Sequence, residues 1–181
     1  MKVERDLQLV EDILGSFKSV IGRDFDAYRN HVYRVINLCF SLADFSPIDK
    51  EKIQIAGCFH DIGIWTAGSL DYLSPSETEA TRYLEGKGRG GWVAEVSEMI
   101  EMHHRVRSCK DSTFVLVEPF RRADIADFSL GIVSMGIPKK LIGELKTVFP
   151  NAGFHLRLVS WAAAGFFGTL STHCQCFVAS A

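Results

Sequence analysis

Apolar residues recur at intervals of three to four along most of the chain, and charged residues fill many of the positions between them. Near the N-terminus this spacing joins Leu7, Val10, Ile13 or Leu14, and Phe17. A repeat of about 3.6 residues is typical of an amphipathic α-helix, so the pattern predicts a helix there. A second predicted helix begins at Ala27 and ends at Ser46–Pro47, and a third runs from after Asp49 to Gly63. A fourth begins at a capping box formed by Ser74 and Glu77 and continues through Leu84. Further helices are predicted from Trp92 to His103 and over residues 120–130, 138–148 and 154–170.

Strand signals are missing from the pattern. We find no confident hairpin and no alternation of strand and helix of the kind that builds a parallel sheet. Residues 69–76 mix Gly, Asp, Ser and Pro and indicate a loop, and the glycines of residues 86–91 indicate a turn or hinge. Gly63 stands where a helix C-terminus often takes a left-handed residue. The expected fold is all-α, a single-domain helical bundle over residues 1–181.

Charge and cysteine content narrow the partners and the compartment. Twenty Lys and Arg against 22 Asp and Glu leave a net charge of −2, which favours neither nucleic acid nor an anionic membrane. The most apolar stretch, residues 158–170, is shorter than the roughly 20 residues that span a bilayer. The N-terminus lacks the basic and apolar regions of a signal peptide, and the five cysteines match no disulfide or zinc pattern. We expect a cytoplasmic protein with a small-molecule substrate, and the sequence leaves a homo-oligomer open.

One group of polar residues stands within apolar surroundings. His60 and Asp61 follow the apolar run of residues 56–59, and burying a carboxylate without a partner costs several kcal/mol. A metal ion would supply that partner, but it needs four to six donors. His31 lies on the apolar face of the preceding predicted helix, and Asp124 lies within a later apolar pattern. A single histidine on such a face is more often a core residue, so the four residues together make the case for a mixed nitrogen and oxygen site.

These residues occur in the order H…HD…D. His31 is the last residue of the sequence YRNH at residues 28–31, and the HD pair is the start of HDIG at residues 60–63. Asp124 lies in the sequence ADIAD at residues 123–127. In this respect the chain resembles the HD-domain superfamily of metal-dependent phosphohydrolases, over residues 28–128. The resemblance implies an all-α bundle in which one divalent metal, of identity left open among Mn, Fe, Co, Ni, Zn and Mg, binds His31, His60, Asp61 and Asp124. It implies that the C-terminal helices pack on this core. Asp127 resembles a further carboxylate of the family, one helical turn on.

The sequence departs from the family pattern in two places. Ser76 stands where many two-metal relatives place a histidine, so we expect one ion per subunit. His103 and His104 resemble the histidines that such relatives use for a second ion, which leaves a proton shuttle or a partial second site open. Ile64 replaces the lysine of the cyclic-dinucleotide phosphodiesterases, and their glycine-tyrosine-proline signature is absent. This argues against cyclic-dinucleotide chemistry.

The resemblance also implies a role in catalysis for Asp61, which would orient the attacking water. From their order in the sequence, we expect His103 or His104 to protonate the leaving oxygen. We expect Arg121 to neutralise the phosphoryl oxygens because it shares a helix face with Asp124, whereas Arg122 should point towards solvent. For each basic residue of this region, exposure to solvent at the protein surface explains the charge as well as contact with a substrate anion does.

The sequence therefore predicts a metal-dependent hydrolase, of the phosphohydrolase kind, acting on a small phosphate ester or a nucleotide. One alternative is an enzyme of the same fold with other chemistry, such as hydration of a nitrile-like substrate or iron-dependent oxygenation. Another is a metal-stabilised regulatory module without turnover, because metal ligands serve folding as well as catalysis.

Overall fold

A computed structural model of the protein describes residues 3–68, 71–109 and 112–153, which are helical and contain no strand. This confirms the all-α fold class. The helices are α1 (Gln8–Ser16), α2 (Lys18–Ile21), α3 (Phe25–Phe40), α4 (Pro47–Phe59), α5 (Gly63–Thr66), α6 (Leu73–Gly86), α7 (Val93–Met102), α8 (Val117–Phe128) and α9 (Lys139–Val148), with 3₁₀ turns at Gly22–Asp24 and Gly90–Trp92. None of the described helices is long and apolar enough to cross a membrane. The helix expected over residues 154–170 lies outside the described residues.

Helix α3 lies at the centre of the bundle and is buried along most of its length. It packs most extensively against α8 and also contacts α4 and α9. Its polar residues His31, Arg34 and Asn37 recur at a spacing of three, so they form one stripe on the helix, and all three are buried. Buried polar groups need partners, so this stripe indicates where the polar interior of the bundle lies.

Helix α4 begins earlier than the sequence suggested, and α3 ends earlier. The start of α4 is Pro47, because Ser46 caps the helix: its Oγ accepts a hydrogen bond from the Asp49 amide at 3.1 Å. The Asp49 carboxylate accepts the Ser46 amide in return at 3.3 Å, which completes a capping box. Asp49 therefore lies inside the first turn, and α3 ends at Phe40, before the Ser46–Pro47 stop.

The expected capping box at Ser74 and Glu77 is wrong. Helix α6 begins at Leu73, so Ser74 is already helical, and no side chain caps the helix N-terminus. Residues 73–76 of the expected loop at residues 69–76 therefore belong to the helix. A capping box of the correct spacing therefore occurs in the bundle, but at Ser46 and Asp49 instead.

Gly63 is required for a close approach, and the expectation of a left-handed backbone is wrong, since Gly63 does not take a positive φ. A Cβ atom at this position would lie 2.2 Å from the carbonyl oxygen of Tyr72 and 2.9 Å from the amide of Ser76. The Gly63 amide donates to Ser76 Oγ at 2.9 Å. The first turn of α6 thus packs directly on the chain that follows the HD pair.

Candidate metal centre

Three helices bring the four expected ligands together. His31 lies in the middle of α3, His60 and Asp61 follow the last turn of α4, and Asp124 lies in α8. All four side chains are buried. Because α4 ends at Phe59, the chain turns there and directs both members of the HD pair into the bundle.

The candidate ligand atoms form a compact set. The Nε2 atoms of His31 and His60 are 2.9 Å apart. Asp61 Oδ2 lies 3.6 Å from the first and 3.4 Å from the second of these nitrogens. Asp124 Oδ1 lies 3.5 and 3.6 Å from the same two atoms. An ion at about 2.1 Å from its ligands separates neighbouring ligands by about 3.0 Å in an octahedron and about 3.4 Å in a tetrahedron, so each carboxylate has the spacing of a first coordination sphere to the two histidines. His31, His60 and Asp61 also form a group in which all ligand atoms lie within 4.8 Å of one another, and Asp124 adjoins that group through the two histidines.

The hydrogen bonds of the two histidines place a proton on the Nδ1 atom of each ring. His60 Nδ1 lies 2.8 Å from the carbonyl oxygen of Gly57, which can only accept, so Nδ1 carries the proton. His31 Nδ1 donates to Asp127 Oδ2 at 2.7 Å. The two Nε2 atoms lie 2.9 Å apart, so they repel each other unless a proton on one of them or a cation lies between them. With the carboxylates of Asp61 and Asp124 beside them, the residues present fit a divalent metal.

The electrostatics of the centre agree with this fit. Burial lowers the pKa of His60 to about 3, so its ring is neutral at pH 7, as a metal ligand must be. Burial raises the pKa of Asp124 to about 6. Burial would also raise the pKa of Asp61, but the surrounding histidines hold that pKa well below its usual range.

A second group of candidate ligand atoms adjoins the first. Ligand atoms of Asp61, His103 and His104 lie within 4.8 Å of one another. His103 Nδ1 faces the carbonyl oxygen of Ile100 at 2.5 Å, so its Nε2 is the free nitrogen. That atom lies 3.4 Å from Asp61 Oδ1, and neither has a hydrogen-bond partner among the described residues. A protonated His103 or a second cation would satisfy both atoms, so the number of ions stays a prediction.

Ser76 has a structural task in this chain. Its side chain is fully buried, and its hydroxyl accepts the Gly63 amide. A histidine at this position would lose that hydrogen bond.

An aromatic rim that the sequence analysis missed borders the centre. The Tyr72 hydroxyl is hydrogen-bonded to His104 Nε2. The His104 ring lies 3.7 Å from that of His103 and 6.4 Å from that of Phe128, measured between centroids. Phe128 is 48% exposed. The only sequence signal was Tyr72 shortly after the HD pair, in a segment that otherwise indicated a loop.

Arg121 does not face the candidate ligands. It is buried as expected for the face of Asp124, but its guanidinium pairs with both carboxylate oxygens of Glu118, at 2.7 and 2.8 Å. Its Nη1 donates to the carbonyl oxygen of Arg105 at 2.7 Å. In this structure Arg121 holds the loop that follows His104, and its contact with a substrate stays a prediction. The expectation for Arg122 is wrong, because its guanidinium is half-buried and donates to the carbonyl oxygen of Met135.

The fold and this centre together define a class, a helical domain with a buried cluster of two histidines and two aspartates that could hold a metal ion. The family model of the HD domain matches residues 28–127, more than half of the chain. The chain belongs to the HD-domain superfamily of metal-dependent phosphohydrolases. No curated protein and no solved structure matches the chain significantly.

Proposed function

We propose that the protein is a metal-dependent phosphohydrolase that acts on a small phosphate ester or a nucleotide. The observation that carries this proposal is the pair of Nε2 atoms of His31 and His60, 2.9 Å apart and flanked by the carboxylates of Asp61 and Asp124. A site with this donor set takes a divalent ion. The chemistry that such an ion supplies when bound is Lewis-acid activation of water and of the phosphoryl group.

Two side chains of the centre, Asp61 and His103, are placed to orient water and to protonate the leaving oxygen. Asp61 has two oxygens in different places: Oδ2 belongs to the ligand set, and Oδ1 faces His103. His103 Nε2 is the buried nitrogen best placed to hold a proton beside the centre. The carboxylates of Asp61 and Asp124 raise the pKa of His103 against the effect of burial, which lowers it. We assign to His103 the protonation of the leaving oxygen, and to Asp61 Oδ1 the orientation of water.

We assign the attraction of an anionic substrate to Arg105 and Arg107 rather than to Arg121, the arginine expected from the sequence. Arg121 has its donors engaged by Glu118 and by the carbonyl oxygen of Arg105. The loop that it holds carries the exposed side chains of Arg105 and Arg107, immediately after His103 and His104. Arginines on a loop beside the centre suit a substrate with phosphate oxygens. A neutral nitrile-like substrate would gain nothing from them.

The test is turnover by protein purified without chelator and supplied with Mn²⁺, Co²⁺, Ni²⁺, Zn²⁺ or Mg²⁺ in turn. The panel contains phosphate monoesters, nucleotides and a neutral nitrile. We expect phosphate release from at least one phosphate compound, abolished in Asp61→Asn and retained in Asp44→Asn, a change at an exposed aspartate. Turnover of the nitrile alone would favour the hydratase alternative, and metal binding without any turnover would favour a regulatory module.

The proposed partner is a small phosphate-bearing molecule rather than a nucleic acid or a membrane, in keeping with a net charge of −2. We propose a cytoplasmic location, where thiols stay reduced. The three cysteines among the described residues, Cys39, Cys58 and Cys109, are free, and Cys174 and Cys176 lie outside those residues. A homo-oligomer is left to a measurement of molecular mass in solution.

A further inference from the structure

Arg34 is a basic side chain inside the bundle, 1% exposed, one helical turn after His31. Its Nε donates to Asp127 Oδ1 at 2.6 Å, and its Nη2 donates to Asp127 Oδ2 at 2.9 Å. Its Nη1 donates to the carbonyl oxygen of Phe149 at 2.9 Å. The guanidinium thus holds the Asp127 carboxylate with one side and the chain at the end of α9 with the other.

The Asp127 carboxylate passes this constraint to a candidate metal ligand. Its Oδ2 accepts both from Arg34 and from His31 Nδ1, the latter at 2.7 Å. Because both oxygens are held by Arg34, the carboxylate cannot rotate away from His31. That contact fixes the plane of the imidazole and keeps a proton on Nδ1, so Nε2 is directed at His60 and is the nitrogen available to a metal.

Stability alone is a weak account of this arrangement. A buried ion pair often adds little to the free energy of unfolding, because desolvation of both charges offsets their attraction. The fork of Arg34 instead provides a fixed direction, which a metal site needs and a hydrophobic core does not. A partner that orients a ligating histidine commonly changes metal affinity by 10- to 100-fold when it is lost.

We infer that Arg34 is a positioning residue of the metal centre, acting through Asp127 on His31, and that it couples the end of α9 to metal affinity. This inference rests on the proposed metal site. The end of α9 is also held by Asn30, whose side chain donates to the carbonyl oxygen of Pro150 at 2.9 Å, and by stacking of Phe149 on Tyr33. Since coupling is reciprocal, a bound metal stabilises the contact of this segment with α3.

The test is titration of the full chain with Co²⁺, followed by calorimetry and by the visible absorption of the ion. The variants are Arg34→Met, which removes the charge, and Arg34→Lys, which keeps the charge but cannot fork. The matched control is Arg29→Met, on the same helix. Arg29 makes a similar two-oxygen pair, with Glu11, but it is partly exposed and does not contact the centre.

We expect Arg34→Met to raise the Kd for Co²⁺ by about 10- to 100-fold, Arg34→Lys to raise it by at least about threefold, and Arg29→Met to leave it within about twofold. A purely structural role would lower the melting temperature of the metal-free protein and leave both the Kd and the Co²⁺-induced rise in melting temperature unchanged. In wild type, Co²⁺ should also slow amide exchange in α9, and in Arg34→Lys it should do so less.

Each result decides the inference. Unchanged Co²⁺ affinity in folded Arg34→Met would overturn it, and if that variant does not fold, unchanged affinity in Arg34→Lys would do the same. Equal weakening in Arg29→Met would also overturn it, because the effect would then not be specific to the buried fork. Failure of wild type to bind Co²⁺ would instead remove the proposed function, and this inference with it.

Discussion

The two ring nitrogens of His31 and His60 that face each other at 2.9 Å determine what this site can hold, a proton or a cation. The proton on each Nδ1 is determined by its partner, Gly57 for His60 and Asp127 for His31, so neither ring can turn its N–H inward without losing a buried hydrogen bond. An unpaired buried donor or acceptor costs about 1–3 kcal/mol. The Gly57 carbonyl and the Asp127 carboxylate, which are not candidate ligands themselves, therefore hold His60 and His31 with Nε2 directed at the candidate metal site.

The geometry allows two roles for His103, and one experiment distinguishes them. If it holds a proton, His103→Gln should lower kcat by about 10²- to 10⁴-fold, with the metal content unchanged. If it binds a second ion, the metal content should fall instead, from two ions to one. Mass-spectrometric metal analysis together with kcat distinguishes the two, and normal kcat with normal metal content would exclude both roles.

At the scale of elements, close packing of α6 on the HD turn depends on one glycine. Gly63→Ala should destabilise the fold by about 2–4 kcal/mol, because its Cβ would lie 2.2 Å from the Tyr72 carbonyl oxygen, which is backbone and cannot move alone. Gly143→Ala is the matched control, since Gly143 is exposed in α9 and its Cβ would meet nothing within 4 Å. That change should stabilise by up to about 1 kcal/mol. Urea denaturation measures both, and equal effects would refute this packing argument.

The pair of Glu118 and Arg121 joins helix α8 to the loop after His104, and it should give the stability a pH dependence. The hydrogen bond from Arg121 lowers the pKa of Glu118 to about 2 from an ordinary 4.5. A depressed pKa in the folded state contributes stability that is complete above pH 4.5 and is lost as pH falls towards 2.

Glu118→Gln should therefore cost about 2 kcal/mol at pH 7, less than the full pKa shift implies because solvent screens this partly exposed pair, and the difference in stability from wild type should shrink by about half at pH 3. Glu79→Gln serves as control, because Glu79 pairs with the exposed Arg82 on the surface of α6. We expect that control to change stability by less than about 0.5 kcal/mol. A gap for Glu118→Gln that is the same at both pH values would rule out an ionised pair as its cause.

At the scale of the whole molecule, charge is arranged unevenly around a nearly neutral chain. Exposed Arg105 and Arg107 follow the histidines of the centre, whose own fixed charges are carboxylates. The double variant Arg105→Ala/Arg107→Ala should raise KM for a phosphate substrate by about 5- to 20-fold, and added salt should reduce the difference from wild type. Arg23→Ala/Arg82→Ala, which removes two other exposed charges, is the control. A KM that does not change would show that these arginines do not attract the substrate.

The helices and the candidate ligands could be predicted from the sequence because both leave local signals. The apolar repeat located α1, α3 and α8, and apolar surroundings distinguished Asp61 and Asp124 from ordinary surface carboxylates. The partnership of Arg34 and Asp127 spans 93 positions, and no local pattern reports it. For Arg121, the shared helix face with Asp124 could be inferred from the spacing, but not its partner, which is a carboxylate three residues earlier on the same helix. Ser74 does not cap α6 because the helix already begins at Leu73, where the Ser76 amide donates to the carbonyl oxygen of Tyr72 at 2.9 Å.

The most direct test of the central claim, that His31, His60, Asp61 and Asp124 hold a divalent ion, is the metal content of folded protein purified without chelator. Mass spectrometry should find about one ion per chain in wild type and in the surface control Asp44→Asn. It should find less than about one tenth of an ion in Asp61→Asn and in His60→Ala, with circular dichroism showing that the helices remain. Equal metal content in wild type, Asp61→Asn and His60→Ala would contradict the account.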